Sequence, residues 1–455
     1  APGDLARVRN RFSRRIFPIT STTHSLSRAD YARAFLHQLW NGTTARDCIV
    51  ATSRAAVDVV RTQFEELRQG YGLESGPPSP VVEHIPLGLP VSALMQDESS
   101  ARDRIRDALG ASPGHCLILV LGRISHHSKM DILPLLRALR RVVAQGLDPG
   151  KIMLVIAGWT EDRDDTPETL RVLARSLGLT ATIIPRPSET GKRELLQGVD
   201  IFCSLADNLQ ETFGLTLLEA GAAGLPVLAS DFDGYRDLVD HGRTGFLVPT
   251  LAAPAMPGLE ALAPLLPDNQ YHLVQAQATV VSVSHLASWL AALVADPGLR
   301  RALGRQARKR VQDDFAWPQI ITRHLDLWDR LNRCPVPEPD ALRDVPHPSQ
   351  VHYARVFAGF STKPLSGDDI VQWSDHGRAV YRGQDHPAMY AGLEPWLNLD
   401  QVRPLLTLAH RPVIVSTLLD RLAGIGLASE AAAFLLHWAL KHDLLELCDG
   451  VDLRS

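Results

Sequence analysis

Asp207-Asn208-Leu209-Gln210-Glu211-Thr212-Phe213-Gly214-Leu215-Thr216-Leu217-Leu218-Glu219-Ala220 decides how this chain is read, because it holds two glutamates eight positions apart with Phe-Gly between them. The apolar run before it, 199–206, reads as a buried parallel strand, and 215–223 reads as a helix. A strand, a polar turn and a helix start form a phosphate-binding place in α/β folds. The first N–H groups of a helix lack internal partners, and the helix dipole favours an anion. Glu211 falls at that start, where its carboxylate can meet polyol hydroxyls. Glu219 lies about two turns further on, and side chains eight apart share a helix face. The spacing predicts one carboxylate at one end of an extended ligand and the other at a hydroxyl further along it.

Further elements follow in order. Ala222-Ala223-Gly224-Leu225-Pro226-Val227-Leu228-Ala229-Ser230 reads as a helix end and a strand. Asp233-Gly234-Tyr235-Arg236-Asp237-Leu238-Val239 reads as a turn and a helix. Gly242-Arg243-Thr244-Gly245-Phe246-Leu247-Val248-Pro249 follows, and Val120-Leu121-Gly122-Arg123-Ile124 with Lys129 lies upstream. In this order they resemble the retaining nucleotide-sugar glycosyltransferases of family 4, whose E-x7-E signature matches Glu211 and Glu219. The resemblance implies an α/β chain of GT-B fold with two Rossmann-like domains. The first would be incomplete, since the chain enters at what resembles the fourth strand; two or three βα units of about 30 residues each are expected from elsewhere. A partner chain or another segment would supply them.

Composition sets outer bounds. A chain of 455 residues calls for two to three domains. A net charge of −4 gives no electrostatic footprint for nucleic acid. No run reaches membrane-spanning length, and no signal-peptide pattern is visible. Cys48, Cys116, Cys203, Cys334 and Cys448 are scattered and odd in number, and read as reduced thiols of a cytoplasmic protein. The first residue is alanine, which suggests a fragment, a processed chain or an edited sequence. Residues 7–15 carry five arginines, which read either as a solvated helix or as a patch for peripheral contact with anionic lipid at the inner face of a membrane.

Alternating short apolar runs and longer helical stretches predict a doubly wound sheet. Residues 1–110 read as the partial first domain, with a strand ending at His24, a helix over 27–40 capped by Ser27, and a second helix capped by Ser53. Residues 111–315 read as the donor-binding domain, 316–334 as a crossover helix and 335–345 as a proline-rich linker. Residues 346–455 read as a helical or winged-helix-like module in which Pro412 opens a helix. That module is acidic and lacks a basic recognition helix, so packing or partner binding is expected of it rather than DNA binding.

The resemblance implies retaining glycosyl transfer from a UDP- or GDP-linked sugar to a glycan, lipid-linked or protein acceptor. Cations must then meet the diphosphate, and hydroxyl-binding groups the sugar. Arg123 and Lys129 match the family's diphosphate-binding pair, with one extra residue between them. Glu211 matches the sugar-binding residue, and His24 the histidine facing the donor sugar. Glu219 matches the residue that holds the ribose. Phe213, Gly214, Leu215 and Thr216 would offer backbone N–H groups. Gly122 and Gly158 would allow close approach at strand ends, and Arg186 would line the base pocket. No cofactor and no metal are implied, and no D-x-D or other metal motif is visible. The competing readings are a nucleotide-sugar-binding scaffold that has lost catalysis and a glycogen-synthase- or phosphorylase-like enzyme of the same fold. No lysine environment suited to pyridoxal phosphate supports the phosphorylase version.

Overall fold

Long apolar runs with no polar alternation demand cover on both faces, and two parallel sheets supply it. The computed structural model describes residues 2–94, 99–160 and 165–448. Strands β1 (Ile19–Thr22), β2 (Asp47–Ala51) and β3 (Val81–His84) form a parallel sheet in the order β1-β2-β3. The larger sheet contains β4 (Cys116–Leu121), β5 (Ile152–Gly158), β6 (Ala181–Pro185), β7 (Ile201–Ser204), β8 (Val227–Ser230) and β9 (Gly245–Val248). Its order is β6-β5-β4-β7-β8-β9, parallel throughout. The order turns back on itself between β4 and β7, which is the Rossmann arrangement, and ligands bind such sheets at the carboxyl side of that reversal. Two Rossmann-like parallel sheets result, the first with three strands.

Strand β4 shows the cause. Ile118 and Val120 join a core with Leu135 and Leu139, while Leu117, Leu119 and Leu121 face a second core with Leu196 and Leu217. The helix Trp317–Arg333 returns to the smaller sheet, where Ile320, Leu327 and Leu331 pack with Cys48, Val50 and Ile85. Cys48, Cys116, Cys203 and Cys334 are free thiols. Among the described residues no helix is long and apolar enough to cross a membrane.

Several expectations need correction. The arginine-rich start forms the helix Pro2–Phe12, but its Arg9 is neither solvated nor available to lipid. Its side chain is fully buried and pairs with Asp47 at 2.5 Å, with 5% of the Asp47 side chain exposed. Arg9 also donates to the Phe17 carbonyl at 2.9 Å. The helix expected over 27–40 shrinks to Tyr31–Leu36, and Ser27 caps nothing; its buried hydroxyl has no partner. Ser53 does cap Arg54–Gly70, accepting from the Ala56 N–H.

The chain divides into two compact units, Ala1–Gln350 and Val351–Ser455. The second contains a three-stranded antiparallel sheet, Ile370–Trp373 between Val413–Ile414 and Leu445–Leu447, packed with helices that include Val415–Gly424 and Ser429–Lys441. Pro412 therefore precedes a strand and does not open a helix.

Arg9 anchors the first helix to β2. Arg9→Ala should cost about 3–5 kcal/mol, because it leaves the Asp47 carboxylate buried and uncompensated. Urea denaturation followed by circular dichroism checks this; a loss under about 1 kcal/mol would place the pair in the class of exposed bridges.

Candidate active site

The expected residues lie on loops that leave the carboxyl ends of adjoining strands. Gly122 follows β4 and Gly158 ends β5. A Cβ on Gly158 would overlap the Gly122 carbonyl oxygen, so the two strand ends approach too closely for any side chain. Backbone pairing continues past the strands: the Gly122 N–H donates to Ala157 at 3.1 Å and the Arg186 N–H to Gly158 at 2.7 Å.

The helix after β7 runs Leu215–Ala222 and is entered through Gly214 in a left-handed conformation, φ 105°. A side chain at Gly214 would overlap the Tyr235 ring. Glu211 thus sits in the turn before the helix, and the expectation that Glu211 and Glu219 share a helix face does not hold. Each carboxylate instead has its own lysine.

Glu211 pairs with Lys129. It also accepts from the Tyr235 hydroxyl at 3.3 Å and from the Phe213 N–H at 3.4 Å. Burial alone would raise the Glu211 carboxyl, but the charge and hydrogen bond of Lys129 outweigh it and hold the group below its ordinary value. The extra residue in Ser125-His126-His127-Ser128 does not carry Lys129 away. The Asn208 side chain donates to the His127 carbonyl at 2.8 Å, the Lys129 N–H donates to Ser125 at 3.1 Å, and the lysine stem crosses Gly122. Arg123 is exposed at the same edge and makes no ion pair or side-chain hydrogen bond among the described residues.

Glu219 accepts from Lys192 at 2.7 Å. Lys192 lies on the helix Glu189–Gly198, 27 residues away in sequence, and sequence reading missed it. No local spacing could have signalled it. Burial pushes the Glu219 carboxyl up despite that lysine.

The remaining expected residues surround this edge. Leu215 and Thr216 supply the first N–H groups of the helix, and the Thr216 hydroxyl is buried without a partner. His24 is exposed and lies 3.3 Å from the hydroxyl of Ser25, which donates to the Gln210 carbonyl at 3.3 Å; the loop after β1 thus abuts the Glu211 turn. Arg186 has φ 50°, donates to the Thr160 carbonyl at 2.6 and 3.0 Å, and lies over the Trp159 ring at 5.7 Å. Between the two sheets, a cavity of about 590 Å³ is lined by Leu26, Ala55 and Val59 on one side and Leu209, Glu211 and Asp233 on the other.

Two neighbouring carboxyls behave oppositely to Glu211. Burial, with the Glu211 charge, pushes Asp233 up to about 7. Burial, with the Asp131 charge, pushes Asp207 up to about 7 as well. One edge therefore holds an ionised carboxylate beside carboxyls that take up protons near neutrality, which sorts acceptors from donors.

Residues 101–256 match the family described as glycosyl transferases group 1. The chain is 30% identical over 202 residues to a D-inositol 3-phosphate glycosyltransferase of Rhodococcus erythropolis (strain PR4 / NBRC 100887), covering 44% of this chain and 43% of that one. It is 32% identical over 169 residues to a GDP-mannose:cellobiosyl-diphosphopolyprenol alpha-mannosyltransferase of Komagataeibacter xylinus, covering 36% and 40%. The chain thus spans less than half the length of these two curated relatives. Among solved structures, Anabaena Alr3699/HepE in complex with UDP and glucose aligns with a TM-score of 0.48 at 16% identity, covering 69% of this chain and 72% of that one.

Asp207 makes the pH dependence testable. Its oxygen Oδ2 accepts from the Asp131 N–H at 3.1 Å, and Oδ1 has no partner. Its folded value of about 7 lies above the ordinary 3.8, so the stability it contributes is full below pH 3.8 and is lost as pH rises through 7. Asp207→Asn should therefore melt above the native protein at pH 8 and close to it at pH 4. Equal melting temperatures at both pH values would show that the carboxyl titrates normally.

Proposed function

We propose that this protein is a retaining glycosyltransferase. In this reading it moves a sugar from a UDP- or GDP-linked donor to a cell-envelope glycan, glycolipid or protein acceptor in the cytoplasm. The observation that carries the reading is the constellation at the β4/β7 reversal: Lys129 paired with Glu211 in the turn before the helix that starts at Leu215, with Arg123 exposed after β4. The name of one relative, the alpha-mannosyltransferase of Komagataeibacter xylinus, specifies GDP-mannose, in keeping with a nucleotide-linked donor.

The chemistry follows from charge. When the glycosidic bond breaks, negative charge grows on the diphosphate and positive charge on the sugar. Arg123, Lys129 and the N–H groups of Leu215 and Thr216 meet the diphosphate. Glu211 accepts from sugar hydroxyls, Glu219 from the ribose, and Arg186 and Trp159 flank the base. His24 faces the sugar from the first sheet. Before donor binding, Lys129 and the Phe213 N–H are held by Glu211. The diphosphate competes with Glu211 for them and turns its carboxylate toward the sugar. The apolar cavity beside Glu211 offers room for the body of an acceptor, with the reacting hydroxyl toward the donor.

Calorimetry against UDP, GDP, ADP and their sugars should find one base that binds, with binding lost in Glu219→Ala. Transfer from that donor should fall at least about tenfold in Glu211→Ala, since each hydroxyl bond to a charged group contributes about 1.5–3 kcal/mol. An unchanged kcat/KM removes Glu211 from the site, and binding without turnover in the native protein assigns it to the scaffold class.

Among the described residues no group of three His, Cys, Asp or Glu side chains could hold a metal ion. With two cations of its own for the diphosphate, the protein should keep its transfer rate in excess EDTA. Loss of activity with rescue by Mn²⁺ or Mg²⁺ would overturn this.

A further inference from the structure

The Glu219 side chain is 13% exposed, and among the described residues Lys192 is its one cation. Lys192 Nζ takes Oε1 at 2.7 Å, while Oε2 is buried with no partner. The other acid near Lys192 is Glu189, 4.0 Å away and 87% exposed, so that contact competes weakly. The geometry clamps one oxygen of Glu219 and fixes the plane of the carboxylate, leaving the second oxygen to seek a donor.

We propose that Lys192 is a positioning residue of the nucleotide site, holding Glu219 aimed so that its second oxygen accepts from a ribose hydroxyl. The proposal rests on the donor-site reading above. An ionised carboxylate is acceptor-only, matched to the two adjacent hydroxyls of a ribose, whereas a protonated one spends an oxygen as a donor. Burial favours the protonated form of Glu219, and Lys192 opposes it. The ligand selected is thus a nucleoside diphosphate with its ribose diol intact. Lys192 acts through Glu219 and need not touch the ligand.

The test measures dissociation constants of UDP and GDP and of their 2′,3′-dideoxy analogues for the native protein, Lys192→Met, Lys192→Arg, Glu219→Gln and the Lys192→Met/Glu219→Gln pair. Lys192→Met should weaken the ribonucleotide about tenfold, the scale of one lost hydrogen bond to a charged group. Lys192→Arg should restore most of it, and the double variant should be no worse than Glu219→Gln alone. The dideoxy analogue should bind all variants alike. An equal loss for the dideoxy analogue would mean that Lys192 contacts the phosphates or merely supports the fold. Unchanged ribonucleotide binding in Lys192→Met would likewise sink the proposal while leaving the donor site standing. If the native protein binds neither UDP nor GDP, the donor-site reading fails and takes this proposal with it. Circular dichroism melts of each variant separate lost binding from lost structure.

Discussion

Strands buried on both faces cannot carry polar side chains along their length, and this constraint governs the site. The inward runs of β4 and β5 are aliphatic almost throughout. Polar chemistry is therefore expelled to the strand ends, where loops leave the sheet. The reversal of strand order between β4 and β7 sends neighbouring loops apart and opens a crevice there. The contact of Gly158 with the Gly122 carbonyl keeps the floor of that crevice free of side chains.

Two lysine–glutamate pairs then determine the electrostatics of the crevice. Half-buried carboxylates are unfavourable unless compensated, and removing either partner strands the other. The pairs keep Glu211 and Glu219 in place without saturating them. Glu211 holds Lys129 along with the Tyr235 hydroxyl and the Phe213 N–H, while Glu219 holds Lys192 by one oxygen. The contrast of Glu211 with Asp207 and Asp233 is one of partners: neither aspartate has a lysine, and both are pushed up to about 7. Depth of burial alone does not separate the ionised from the neutral groups.

Much of this was legible in the sequence. The strands from β4 to β8 follow from apolar run length, and the helix after β7 from the pattern beginning at Leu215. Gly122, Gly158 and Gly214 announce themselves because only glycine tolerates their backbone or spacing. What escaped was set by tertiary contact. The pairing of Lys192 with Glu219 and of Arg9 with Asp47 depends on elements brought together by the fold, 27 and 38 residues apart. Local rules also misjudged Glu211: helical spacing gave it a face shared with Glu219, but it lies in the turn before Leu215, beyond Gly214 in its left-handed conformation. Ser27 has the right residue type for a cap, yet the helix begins beyond it at Tyr31.

The chain passes twice between the two sheets, once after β3 and once before the helix Trp317–Arg333, and both passages meet at one point. The Leu89 N–H donates to Phe315 at 2.9 Å and the Trp317 N–H donates to Leu89 at 3.2 Å, with the Trp317 ring pressed on Gly88. The sheets are also joined by single hydrogen bonds, such as the Arg54 N–H on the Asp237 carboxylate and the Ser25 hydroxyl on the Gln210 carbonyl. The sheets are thus joined unevenly: by two backbone hydrogen bonds and a packed ring where Leu89 meets Phe315 and Trp317, and elsewhere by bonds that each rely on one side chain.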